Sequence, residues 1–198
     1  MPLNGLLMAS NCFLPPTFTY ITLKNKKKLT RRPLASSYQA VWSGGDGPDA
    51  AKWCDNASVT SAVVSDGIVN MEICFMLDCG VFVGCYNLRA VRLPESLRKI
   101  GESAFQGCSA LVHVDIPSGV NEFGEGAFHS CSSLETVTIP EGVVHLPDSI
   151  FNECKSLESV KLPSSLEVIG WDAFNFCRSL ATVNFHDLKG LKTIFGYA

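Results

Sequence analysis

The residues of this 198-residue chain best suited to chemistry are nine cysteines and four histidines. Five of the cysteines, Cys85, Cys108, Cys131, Cys154 and Cys177, recur every 23 positions. A cysteine at a fixed period reads as a small buried side chain with a weak S–H donor. Stacked copies would lie near disulfide distance, but their Cβ vectors would run parallel rather than toward each other, so free thiols are expected. Cys54, Cys74 and Cys79 are placed to supply one bridge near the start of the folded part if the protein is exported, and the Asn56-Ala57-Ser58 sequon is informative only in that case. The spacing of Cys74, Cys79 and Cys85 is too irregular for a zinc knuckle, so no metal site is expected.

The remaining chemical candidates are scattered. His113, His129, His145 and His186 fall at different positions of the period and would converge only through large bends. Gly124-Glu125-Gly126 begins like a phosphate-binding loop, but no third glycine follows and the same turn recurs in every unit. Gly-x-Ser-x-Gly, Walker-type loops and His-Glu-x-x-His are absent. Neither an enzyme nor a cofactor is expected.

What must position these residues is a repeat. At an offset of 23, Phe82, Phe105, Phe128, Phe151 and Phe174 share a column, and the ladder cysteines follow three positions later. Leu88, Leu111, Leu134, Leu157 and Leu180 form a third column, and Val91, Val114, Val137, Val160 and Val183 a fourth. A fifth column of Leu93, Ile116, Ile139, Leu162 and Phe185 is followed, in four units, by proline. A period of this length marks a solenoid. The Val-x-Ile piece alternates, which predicts one short strand per unit, stacked in parallel about 4.8 Å from the next. The proline ends the pairing. The stretch from Ile100 to Cys108 predicts a single helical or 3-10 turn directing Ile, Ala and Phe at the strand. No unit can enclose these side chains alone, so the core is continuous.

The run Leu-x-x-Val-x-Ile-Pro-x-x-Val-x-x-Ile-Gly-x-x-Ala-Phe-x-x-Cys resembles the BspA-type leucine-rich repeat over about Val81 to Ile194. The resemblance implies an α/β solenoid, a right-handed leucine-rich-repeat coil with one short parallel strand and one short helical or 3-10 turn per 23 residues. It also implies a role in surface adhesion or protein binding. The last unit departs from the pattern, with His186 at the proline position. Upstream, Cys74 and Leu77 fit the two columns after the proline, and Met71 replaces the proline itself. The expected organisation is a basic, poorly ordered leader and Gly/Pro linker over residues 1–50, an N-terminal cap over 51–80, and a five-repeat solenoid over 81–198 whose last repeat is irregular. Within the cap, Thr60 to Ile73 reads as a hairpin around Asp66-Gly67.

The solenoid's exposed sheet face is the expected contact surface for a protein partner. Its two columns supply Arg92, His113, Asp115, Thr136, Thr138, Ser159, Lys161, Thr182 and Asn184 as candidate binding residues. Glu135 and Glu158 stack in one column and read better as a solvated edge than as a site for a basic partner. The net charge of −3 argues against a nucleic-acid surface on the body, although Lys24 to Arg32 make the leader basic. The uncharged run Gly5–Leu23 is interrupted by Pro15-Pro16, so no stable membrane span is expected. The leader is open to a transit, nuclear or unstructured reading, and the compartment stays open with it. The C-terminal run Phe195-Gly196-Tyr197-Ala198 carries no polar cap, which reads either as a face open to end-to-end contact with another chain or as a truncated sequence; the alternative functions are a structural spacer without a ligand and, less favoured, an enzyme or nucleic-acid binder directed by the basic leader.

Overall fold

A computed structural model of the chain describes residues 30–34, 37–42, 59–64, 70–71 and 80–198. The Val-x-Ile pieces form the front ladder. Strand β1 (Thr30–Leu34) pairs antiparallel with β2 (Ser37–Trp42), and β2 runs parallel to β3 (Val59–Val64). Strand β4 (Asn70–Met71) leaves this sheet, which continues through β5 (Ala90–Arg92), parallel to β3. Further along, β8 (Thr136–Thr138), β10 (Ser159–Lys161) and β12 (Thr182–Val183) form a second front sheet, all parallel.

A second ladder, absent from the one-strand expectation, follows each proline. It joins β4 to β6 (Lys99–Ile100) and β7 (Glu122–Phe123), and separately β9 (His145–Leu146) to β11 (Val168–Ile169) and β13 (Thr193–Ile194). Gly124 donates its N–H to the Ile100 carbonyl, and Gly170 to that of Leu146, each bond closing a step of the ladder. At the equivalent position of the intervening coil stands Pro147, which has no N–H to give, and there the ladder is interrupted.

The expected helical turn is not formed. The one short helix among the described residues is a 3-10 turn over Phe185–Asp187 in the last coil. The reason lies in two columns of left-handed backbone. Ser103, Gly126, Ser149 and Asp172 have φ of 52° to 58°, and four residues later Gly107, Ser130, Glu153 and Phe176 have φ of 58° to 74°. A helix tolerates no such residues in its interior. Donors here alternate between targets. Ser103, Phe105 and Gly107 donate to Glu125, Ala127 and His129 of the next coil, while Ala104, Gln106 and Cys108 donate within their own coil. A helix would spend every N–H inside the coil and leave neighbours unjoined.

Three expectations for the N-terminal part change as well. Val59–Val64 and Asn70–Met71 do not pair as a hairpin: each instead continues a different parallel ladder, through β5 and β6 respectively. Met71 is fully buried opposite Ile100, so Met71 occupies the last apolar column rather than the proline position. The two are 29 positions apart rather than 23, and this extra length hides the unit from a fixed-period comparison. Cys74 and Leu77 lie outside the described residues. Within the stretch expected to be leader, residues 30–34 and 37–42 are strands of the front sheet; the rest of the leader, including Lys24 to Lys28, lies outside the described residues.

The core is one continuous cluster from Ala62 to Leu188. Rings of Phe82, Phe105, Phe128, Phe151 and Phe174 stack at 5.2 to 5.6 Å between centroids, tilted by 7° to 17°. The cysteine ladder has a bonding role as well as a packing one. Cys108 Sγ donates to the Phe82 carbonyl of the preceding coil at 3.1 Å, and Cys131, Cys154 and Cys177 repeat the contact to Phe105, Phe128 and Phe151. Each phenylalanine carbonyl from Phe82 to Phe151 thus accepts twice, once from the cysteine N–H of its own coil and once from the next coil's thiol.

Candidate functional site

The front face is built by the strand alternation. Val137 is buried, whereas its neighbours Thr136 and Thr138 point to solvent, and Val160 is likewise buried between Ser159 and Lys161. Register brings Thr136, Ser159 and Thr182 into one row, and Thr138 beside Lys161 in the other. Arg92 is exposed at the end of β5. His113 bridges to Thr136 in the ladder, and its Nε2 lies 2.8 Å from Asp115 Oδ1. Asn184 is turned to the preceding coil. Its Oδ1 accepts from the Leu162 N–H at 2.7 Å, and its Nδ2 donates to the Leu162 carbonyl at 3.0 Å. The side chain of Asn184 therefore extends the sheet where the strand has ended.

The face is discontinuous. The second coil carries the same Val114-x-Ile116 pattern as the others, yet it forms no strand paired with β5. Between them lies a cleft of about 310 Å³ lined by Val91, Arg92, Leu93, Glu95, Asp115, Ile116, Pro117 and Ser118. No sequence signal announces this break.

Bulky apolar groups concentrate at the C-terminal coils instead. Trp171, Phe176, Phe185, Ile194 and Tyr197 are exposed, and Trp171 stacks on Phe195 at 5.5 Å. The repeat does carry a signal for one of them, because Trp171 stands in a column otherwise held by Glu102, Glu125 and Asp148.

Among the described residues, no group of three or more His, Cys, Asp or Glu is placed to hold a metal ion, and no helix is long and apolar enough to cross a membrane. Among the described residues, the thiols of Cys85, Cys108, Cys131 and Cys154 are buried and that of Cys177 is half-buried. Burial pushes Cys131 up to about 12 and Cys177, at the more open end, up to about 11. Cys154 is raised as well, by burial first and then by its neighbours Cys131 and Cys177. At pH 8 the Cys131 thiolate fraction is on the order of one in ten thousand. Iodoacetamide at that pH should leave Cys131 and Cys154 unlabelled in the folded chain and mark Cys177 first among the three, as read by peptide mass spectrometry. The folded chain also keeps protons that the unfolded chain releases near the ordinary thiol value of 9.0. The resulting stabilisation is complete below that pH and is lost as pH rises toward 12, so the melting temperature should fall across this window.

The 23-residue columns, the stacked phenylalanines and the parallel ladders agree with a family model described as the BspA type leucine rich repeat region, which matches six copies over residues 76–198. The chain belongs to the BspA-type leucine-rich repeat family. Six copies are one more than the five repeats counted in the sequence. Among solved structures, the leucine-rich repeat protein of Treponema pallidum is 23% identical, with 82% of this chain and 80% of that one covered and a TM-score of 0.60. A leucine-rich repeat protein of Bacteroides ovatus is 24% identical, covers 83% of this chain and 47% of its own, and has a TM-score of 0.58. This chain thus spans about half the length of the Bacteroides protein. These likenesses establish the fold. A search of the curated proteins finds no match.

Proposed function

We propose that the BspA-type solenoid is a protein-interaction module that recognises its partner on the front face, without catalysis. The observation that supports it most is the contrast between columns. Valine recurs without change at the inward-facing position from Val91 to Val183, whereas the flanking outward positions read Arg92, Asp115, Thr138 and Lys161 in one row and His113, Thr136, Ser159 and Thr182 in the other. The core dictates the first and leaves the second free to carry specificity. Parallel stacking holds these side chains on a rigid backbone, which lowers the entropy lost on binding. The four histidines remain in separate columns, which favours a binding role over a catalytic one.

The test is the triple variant Arg92→Glu, Asp115→Lys, Lys161→Glu. All three side chains are exposed, so stability should stay within about 0.5 kcal/mol per substitution. Affinity capture from the protein's own cell, scored by mass spectrometry, should lose the partners that the wild-type chain retains. If the triple variant captures the same set, recognition does not run through this face.

A further inference from the structure

The break in the front face leaves backbone donors unused, those of Leu93 and of Ile116 among them, and Leu93 is the more buried of the two. Leu93, Ile139 and Leu162 are equivalent positions of three coils, and the N–H of each points toward the following coil. Ile139 donates to the Lys161 carbonyl at 2.9 Å, and Leu162 to Asn184 Oδ1 at 2.7 Å. The Leu93 N–H has no hydrogen-bond partner among the described residues, although Leu93 is only 8% exposed. A buried backbone donor is rarely left unpaired, because its desolvation goes uncompensated. Leu93 lines the cleft, and so does Arg92. Nearby Arg98 commits its Nη1 to the carbonyls of Glu95 and Leu97, whereas the Arg92 guanidinium has no hydrogen-bond or ion-pair partner among the described residues.

We infer that the cleft between β5 and the second coil binds a carboxylate side chain of an extended peptide, held by the Arg92 guanidinium and the Leu93 N–H. Arginine matches a carboxylate with paired donors, and the Leu93 N–H supplies a third. Val91, Leu93, Ile116 and Pro117 give the cleft an apolar floor for the aliphatic stems of side chains that share the carboxylate's face. Glu95 and Asp115 also line it, so a free anion would be repelled. A segment that alternates basic and acidic residues meets both demands, since residues two apart in an extended chain share a face. A peptide is favoured over an acidic sugar because the floor carries no aromatic ring to stack on. Most of the exposed aromatics lie at the opposite end, around Trp171, and Tyr86, exposed in the first coil, does not line the cleft.

The inference rests on the front-face reading and names the partner's chemistry there. The test uses the full chain, labelled with ¹⁵N, and the peptide Ac-Lys-Val-Glu-Val-Lys-NH2 as probe. The Leu93 amide resonance should move on titration. Affinity should fall about tenfold with Arg92→Gln, or with Gln replacing Glu in the probe. Lys155→Gln, at an exposed side chain outside the front-face columns, should leave it unchanged. Before any peptide is added, the Leu93 amide should exchange with solvent faster than that of Ile139. If the resonances of Thr136 to Thr138 and Ser159 to Lys161 move while Leu93 stays, the front face binds peptide and the cleft assignment is overturned. If no front-face resonance moves at millimolar peptide, the cleft assignment also fails, and capture by the triple variant then decides the broader reading separately. If glucuronate moves Leu93 as far as the peptide does, the peptide assignment is overturned in favour of an acidic saccharide.

Discussion

Replacing Phe128 with alanine should destabilise the protein by about 3 to 5 kcal/mol, the range for emptying a large aromatic site in a packed core. Phe128 is fully buried at the centre of the stack, 5.2 Å from the Phe105 ring and 5.6 Å from the Phe151 ring, with Phe123 tilted against it at 6.4 Å. Its neighbours cannot collapse into the space, because the backbone of each is bonded to the following coil. The Phe105 N–H is bound to Ala127 and the Phe151 N–H to Ala173. The position also matters more than it would in a globular core. A solenoid is held by contacts between adjacent coils, so a defect in the middle separates two short stacks. Urea unfolding followed by circular dichroism measures the loss. Phe174→Ala provides the comparison, since Phe174 is only partly buried at the C-terminal end and should cost roughly half as much. Equal losses at the two sites would mean that the rings do not form one continuous core.

The stack and its front strands were legible because each coil must present the same apolar set to its neighbours. Phe, Cys, Leu and Val therefore recur at a fixed period, and physical chemistry converts that period directly into coils. The connection between strands was less legible. Ile100, Ala104 and Phe105 have helix-like spacing, yet Ser103 and Gly107 take left-handed backbone. Only glycine advertises that conformation in sequence. Serine, glutamate and aspartate adopt it at Ser149, Glu153 and Asp172, where bonds between coils hold it, and Phe176 continues the column. The second ladder is two residues long per coil, too short to show alternation. The N-terminal coil was hidden because its extra residues displace Met71 from the 23-residue register.

The candidate site divides in the same way. The exposed columns followed from alternation along the strands and are now placed in rows by the register of β8, β10 and β12. The cleft did not follow, because Val114 and Ile116 obey the repeat as faithfully as Val137 and Ile139. What differs is which backbone groups find partners, and a side-chain pattern does not record that. Asn184 shows the converse case. Its position on the strand matches Lys161, but a short amide can fold back onto the main chain where a lysine extends to solvent.

Gly124→Ala should be a severely damaging single-methyl change on the turn side, at about 3 kcal/mol, the upper part of the range for overpacking. A Cβ at Gly124 would lie 2.2 Å from the Glu102 nitrogen and 2.6 Å from its Cα. Both atoms are backbone, so no rotamer change relieves the clash. Moving the coil away would stretch the 2.8 Å bond from the Gly124 N–H to the Ile100 carbonyl, which closes the second ladder at that step. The next coil avoids the conflict by carrying Pro147 and giving up that bond. Gly126→Ser is the control that separates close approach from backbone freedom. Gly126 has φ of 58°, but serine already occupies the same column at Ser103 and Ser149 with φ of 52° and 55°, and a Cβ at Gly126 would meet nothing nearer than 3.6 Å. Its cost should stay below about 1 kcal/mol, within the small penalty for leaving glycine where the conformation is already accommodated. Thermal melts of the two variants decide the matter. Similar losses would mean that left-handed backbone, rather than the distance between coils, governs where glycine is required.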